Sequence, residues 1–179
     1  MIYLVGFTLL LFAAAIVLLF ARFGELKASV DSGAGAGGGT VQVLDVPVGH
    51  EPTFVPAAIG ALATAERALV LVLSTSCNSC AQVAQYLADD PRPLTSHDLF
   101  VVISTPSQAT GEEFQGRPGL TGLPSYVDEG GQWVSAEFHV RQSPSALIFR
   151  YGRLVSGVVF TEVATLKRSM ATLASEVGA

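Results

Sequence analysis

The chain has few reactive side chains. Its 179 residues include only two cysteines, three histidines and one tryptophan. The histidines, His50, His97 and His139, lie far apart, and none shows metal-ligand spacing, so no metal is expected. Charged residues make up 14% of the chain, the net charge is -5, and no block of like charges occurs. That balance predicts a solvated acidic surface and excludes nucleic acid as a partner. No glycine-rich phosphate loop follows a strand, because "GAGAGGG" precedes one as a linker, and no cofactor is expected.

What the chain has in quantity is apolar sequence: half of its residues are hydrophobic. From Met1 to Ala21 no residue is charged, and at ~1.5 Å per helical residue that run spans a hydrocarbon layer of ~30 Å. It lacks the basic start and the small-residue cleavage site of a signal peptide, so a retained single-pass anchor is expected. The first cysteine, Cys77, lies too far downstream to be a lipid-modified end of that segment. Residues 1–22 are thus read as a transmembrane anchor, residues 23–40 as a helix extension and glycine-rich tether, and residues 41–179 as the folded domain. Arg22 and Lys27 follow the span, and positive-inside bias alone would hold the domain in the cytoplasm.

Within the domain, "TVQVLDVPVG" (Thr40 to Gly49) has a strand pattern, and "AAIGALATAERA" reads as a short helix or turn. "ALVLVLSTS" (Ala68 to Ser76) is a continuous apolar run of strand length, which predicts a mid-sheet strand buried on both faces. Cys80, Val83, Ala84 and Leu87 recur at helical spacing until two prolines stop the helix. "LFVVIST" predicts a second buried strand, "PSQATGEEFQ" a helix, "SYVD" a short strand and "GQWVSAEFHV" another helix. "SALIFRYGRLVSGVVF" predicts a hairpin turning at Tyr151-Gly152, placed at an antiparallel edge. A closing helix has Thr161 as N-cap and Val163, Leu166, Met170, Leu173 and Val177 on one face. Strands alternating with helices give an α/β domain with a mostly parallel sheet.

Both cysteines fall in "STSCNSC", at the junction of the buried strand and its helix. A thiol at the first helical position meets unpaired backbone N–H groups and the positive end of the helix dipole, which would lower its pKa below ~8.5. Cys80 is on the same helix face and close enough to close a disulfide after a modest shift. The pattern predicts Cys77 as attacking nucleophile and Cys80 as resolving thiol. Half of a zinc site, or a pair of inert packed cysteines, are the competing readings of the same spacing. Further on, "VRQSPSALIF" puts Pro144 directly before a strand, where proline fits only as a first residue or at a bend.

"LVLSTSCNSC" and "FHVRQSPSALIFRYGRLVSG", at this separation, resemble the membrane-anchored thioredoxin-like thiol-disulfide oxidoreductases of the TlpA-like group, which includes the accessory thioredoxin-like protein of methylamine utilisation. The similarity covers roughly Val41 to Val177, and "ARFGEL" after the anchor is also similar. The resemblance implies a thioredoxin-like fold, a central mixed sheet flanked by helices, preceded by one transmembrane helix. It implies Cys77 and Cys80 as the redox pair, a cis bond at Ser143-Pro144, and a substrate surface formed by Ser76, Ser143 and Pro144. It also favours an extracytoplasmic domain, against the bias of Arg22 and Lys27. Three positions depart from the pattern. Ser76 replaces a frequent tryptophan, Leu71 a buried proton-accepting aspartate, and Ala81 a frequent basic residue.

Two functions follow. In the first, a membrane-tethered oxidoreductase exchanges disulfides with protein cysteines near the bilayer. In the second, a non-catalytic thioredoxin-like subunit docks into a larger membrane complex through its transmembrane helix.

Overall fold

The structure, a computed structural model, describes residues 41–89 and 97–176, with side chains through Met170 in the last helix. The expected anchor (1–22) and tether (23–40) lie outside the described residues. No helix among those described is long and apolar enough to cross a membrane.

The run beginning at Ala68 forms a strand whose side chains alternate between two separate cores. Leu69, Leu71 and Leu73 enter one cluster, while Ala68, Val70 and Val72 enter the other. This strand is β2 (Arg67–Ser74), and it pairs in parallel with β3 (Asp98–Thr105) and antiparallel with β5 (Ser145–Arg150). With β1 (Val41–Val43), β4 (Ser125–Glu129) and β6 (Arg153–Phe160) they make one six-stranded sheet ordered β1-β6-β5-β2-β3-β4. The mid-sheet placement of β2 agrees with its unbroken apolar sequence.

Helices cover both faces. Cys80, Val83 and Leu87 of α1 (Asn78–Asp89), Phe114 of α2 (Gln108–Gln115), and Val163 and Leu166 of α4 (Val163–Glu176) pack on the Leu71 side. On the other face lie Ile59 and Leu62 of a 3-10 helix (Ala57–Ala63), and Trp133, Val134 and Phe138 of α3 (Gln132–Phe138). Phe138 is the hub of that face, edge-on to Trp133 at 5.2 Å and to Phe149 at 5.5 Å between ring centroids. The turn after α2 is held tightly against α1: a Cβ on Gly119, whose φ is +89°, would lie 2.2 Å from the Ala84 carbonyl oxygen. Only glycine allows that approach.

Four expectations are corrected. The sheet is not mostly parallel: only β2-β3 and β3-β4 pair in parallel, while β2-β5, β5-β6 and β1-β6 are antiparallel, because β5 and β6 are joined by a tight hairpin and not by crossover helices. The β5-β6 hairpin is not an edge, because β1 pairs outside β6, and the edge strands are β1 and β4. The strand expected over Thr40 to Gly49 shortens to three residues. Pro47 has no N–H to donate, and the chain turns there, although Leu44 and Gly49 still donate to the Gly157 and Leu154 carbonyls of β6. The last helix starts at Val163, with the Glu162 carbonyl accepting from Leu166, so its cap falls one residue after Thr161. Along its apolar stripe Val163 and Leu166 are buried and Met170 packs beside them. The side chains of Leu173 and Val177 are outside the described set.

A polar clasp joins the segment after β1 to α3. Glu137 accepts from the Thr53 hydroxyl and, at 3.1 Å, from the Thr53 N–H, and its other contact is His50 Nε2 at 2.8 Å. Burial pushes the Glu137 carboxyl up, but the hydrogen bonds from Thr53 and His50 outweigh it, so the group lies below its ordinary value. A carboxyl depressed in the folded state adds stability above its unfolded pKa of ~4.3 and loses it as pH falls through the folded value. Glu137→Gln is therefore expected to cost about 1–2 kcal/mol at pH 7 in urea denaturation. The difference from wild type should vanish in acid; a cost unchanged at low pH would remove the carboxylate's charge as its cause.

Candidate active site

Cys77 lies one residue before α1, so it is the helix N-cap where the first helical position was expected. Its carbonyl takes the first helical bond, from Ala81 N–H at 3.3 Å. Its sulfur accepts the Cys80 N–H at 3.2 Å, the role that a serine or aspartate oxygen plays in an ordinary cap. The Cys80 N–H, which the Cys77 carbonyl also accepts at 3.1 Å, is thus shared between that carbonyl and the sulfur.

Ser74, the last residue of β2, sets this position. Its carbonyl accepts the Cys77 N–H at 3.3 Å, and its hydroxyl lies 3.1 Å from the Ser76 hydroxyl. The turn from strand to helix is thus braced from within, and Ser76 is left exposed beside Cys77. Ser74 escaped the sequence reading, where it was counted as one residue of an apolar strand. Its signal was a hydroxyl at the end of that strand, a common place for side-chain-to-backbone bonding.

The second expected element meets the first. The Ser143-Pro144 peptide bond is cis, and the Ser143 carbonyl accepts from the Cys77 thiol at 3.5 Å. The loop is pinned behind that contact, where the Pro144 carbonyl accepts Phe160 N–H at 3.2 Å and the Ser145 hydroxyl donates to the Gln142 carbonyl at 2.6 Å. The structure therefore brings together Cys77, Cys80, Ser76, Ser143 and Pro144, residues up to 68 positions apart in the chain.

The two thiols stand in different surroundings. Cys77 is half-buried, whereas Cys80 has no exposed surface. Burial pushes the Cys80 thiol far up, and its hydrogen bond to the Cys77 sulfur adds to the shift. Cys80 is a protonated thiol at neutral pH. Leu71 is fully buried in the same apolar cluster as Cys80, so the position where the sequence resemblance implies a buried aspartate holds a hydrocarbon here. Asp128 is the one buried carboxylate among the described residues. It serves α3, accepting the Trp133 and Val134 N–H groups at 3.0 Å each on the opposite face of the sheet. The histidines are elsewhere: His50 is in the Glu137 clasp, and His139 ends α3 with a φ of 60°. Among the described residues no His, Cys, Asp and Glu side chains gather into a metal-binding group.

No family model matches the sequence, and no curated protein matches it. Solved structures do. A candidate thiol:disulfide interchange protein DsbE from Chlorobium tepidum superposes with a TM-score of 0.52 at 14% identity, over 71% of this chain and 99% of that one. The fold is thioredoxin-like. Two further structures superpose less fully: dsbF of MTB, with a TM-score of 0.49 at 17% identity over 65% and 98% of the two chains, and StoA from Bacillus subtilis, with 0.46 at 18% over 57% and 81%. The mixed sheet with helices on both faces is the architecture implied by the sequence resemblance.

Proposed function

We propose that this protein is a thiol-disulfide oxidoreductase, tethered to a membrane through residues 1–22, that exchanges disulfides with cysteines of other proteins on the extracytoplasmic side. One observation carries the reading: the half-exposed Cys77 sulfur caps a helix, accepts the Cys80 N–H and touches the carbonyl before Pro144. That sulfur is the more accessible of the two thiols and stands at the start of a helix with an N–H donor against it, the placement of an attacking thiol.

The chemistry balances as follows. The Cys77 thiolate attacks one sulfur of a substrate disulfide, that S–S bond breaks, and the second substrate sulfur leaves as a thiolate and takes a proton. Cys80 then loses its proton and attacks the Cys77 sulfur, the mixed disulfide breaks, and the first substrate sulfur leaves and is protonated. The Cys77–Cys80 pair is oxidised by two electrons and the substrate disulfide is reduced; the reverse sequence oxidises a substrate dithiol. The exposed Ser76 and the Ser143-Pro144 loop flank the sulfur, where an extended substrate segment pairs with the loop backbone.

Alkylation tests this reading. Cys77 should react at least about a hundredfold faster than Cys80 at pH 7, because Cys80 is buried and protonated. A membrane-impermeant maleimide applied to intact cells after mild reduction should label Cys77. Equal, slow reaction of both thiols would favour the non-catalytic subunit, and labelling only after lysis would put the domain in the cytoplasm.

A further inference from the structure

Beside the reactive sulfur is a cavity of about 330 Å³ that the exchange chemistry does not use. Its wall includes Ser74 and Ser143, the same residues whose carbonyls hold the Cys77 N–H and thiol, so two lining residues touch Cys77 although Cys77 is not itself part of the wall. The remaining polar lining includes Ser104, Ser135 and Arg141. The volume is at the bottom of the ~300–1,000 Å³ range of small-molecule sites, the size of a side-chain subsite.

The charge of this lining is one-sided. Arg141 is exposed, no carboxylate pairs with it among the described residues, and no acid lines the cavity. A guanidinium beside hydroxyl donors suits a carboxylate, which accepts from both. We propose that the cavity is a specificity subsite for an acidic side chain flanking the substrate cysteine, with Arg141 as the residue that selects it. This rests on the oxidoreductase reading and names its substrate class. It also runs against the default, because a chain of net charge -5 attracts basic substrates through its long-range field.

The test uses pentapeptides with blocked ends, each with a central cysteine joined to 2-thiopyridine as a mixed disulfide and Asp, Asn or Lys beside that cysteine. Cys77 attacks the peptide sulfur and releases pyridine-2-thione, whose absorbance reports the rate. Wild type should react fastest with the Asp peptide, by roughly three- to tenfold over Asn, and slowest with Lys. Arg141→Glu should invert the order. Thione release from wild type with no order among the peptides, or the same order in Arg141→Glu, overturns the subsite. A second arm separates this outcome from failure of the exchange chemistry. It measures binding of serine-for-cysteine versions of the peptides to Cys77→Ser/Cys80→Ser protein by fluorescence of Trp133, the only tryptophan and the neighbour of the lining residue Val134. Acid preference in binding with no thione release from wild type would uphold the subsite and reject the redox reading. Absence of that preference from binding as well as from exchange rejects the subsite.

Discussion

Replacing Cys80 with serine is expected to turn a transient adduct into a lasting one, a mixed disulfide between Cys77 and the substrate that survives non-reducing electrophoresis. In the native protein the adduct should be short-lived, because Cys80 is one helical turn from Cys77 and its N–H already meets the Cys77 sulfur. With that thiol gone, release falls to external reductant. Cys77→Ser should form no adduct and should slow exchange by about 10³-fold or more, since a hydroxyl at this position is a poor nucleophile. Cys80→Ala controls for packing. It should trap the same adduct as Cys80→Ser if loss of the resolving thiol is the cause. An adduct that forms on Cys80 in Cys77→Ser protein would reverse the assigned roles.

The placement of the two cysteines was legible in the sequence because it depends on local structure. The apolar run ends near Ser74 and helical periodicity begins near Cys77, so the strand-helix junction could be placed within a residue or two. The error of one residue at Cys77 changed which backbone group meets the sulfur, from the dipole in general to the Cys80 N–H in particular. The meeting of Cys77 with Ser143 is a contact across 66 residues. It was legible through resemblance alone, since no periodicity encodes it.

What stayed hidden was the pairing of distant polar groups. The clasp of His50 on Glu137 joins residues 87 apart, and each looked like a solvated surface residue. Asp128 read as one of many acids, yet it is buried and caps α3, a role set by the αL turn through Gly130 and Gly131 that brings the helix start over it. The hairpin was recognised but misplaced, because the local pattern of Ser145 to Phe160 carries no signal for which strand pairs on its outer side. That partner is β1, three residues from the far end of the domain.

Leu71→Asp should produce the largest change in stability and a change in chemistry as well. Leu71 is fully buried among Leu69, Leu73 and Cys80, so a carboxylate there loses solvation and leaves the leucine's contacts unmade. A destabilisation of roughly 4–6 kcal/mol at pH 8 is expected. Its pH dependence has a definite sign. Burial raises the folded-state pKa of the new acid above its unfolded value of ~3.9, so the penalty is smallest below that value and grows as pH rises toward the folded pKa. Leu71→Asn, which cannot ionise, should show the packing loss without this slope in thermal melts at pH 4 and 8. The chemical effect appears in the second step of exchange. Cys80, its thiol pushed far up by burial, has no carboxylate at Leu71 to take its proton, so the proton needs another base or water. A carboxylate of raised pKa in the same apolar cluster is a competent acceptor, and resolution of the mixed disulfide should accelerate at least about tenfold in folded Leu71→Asp protein relative to Leu71→Asn. Equal resolution rates in the two variants would mean that loss of the Cys80 proton does not limit exchange, and that Leu71 is there for packing alone.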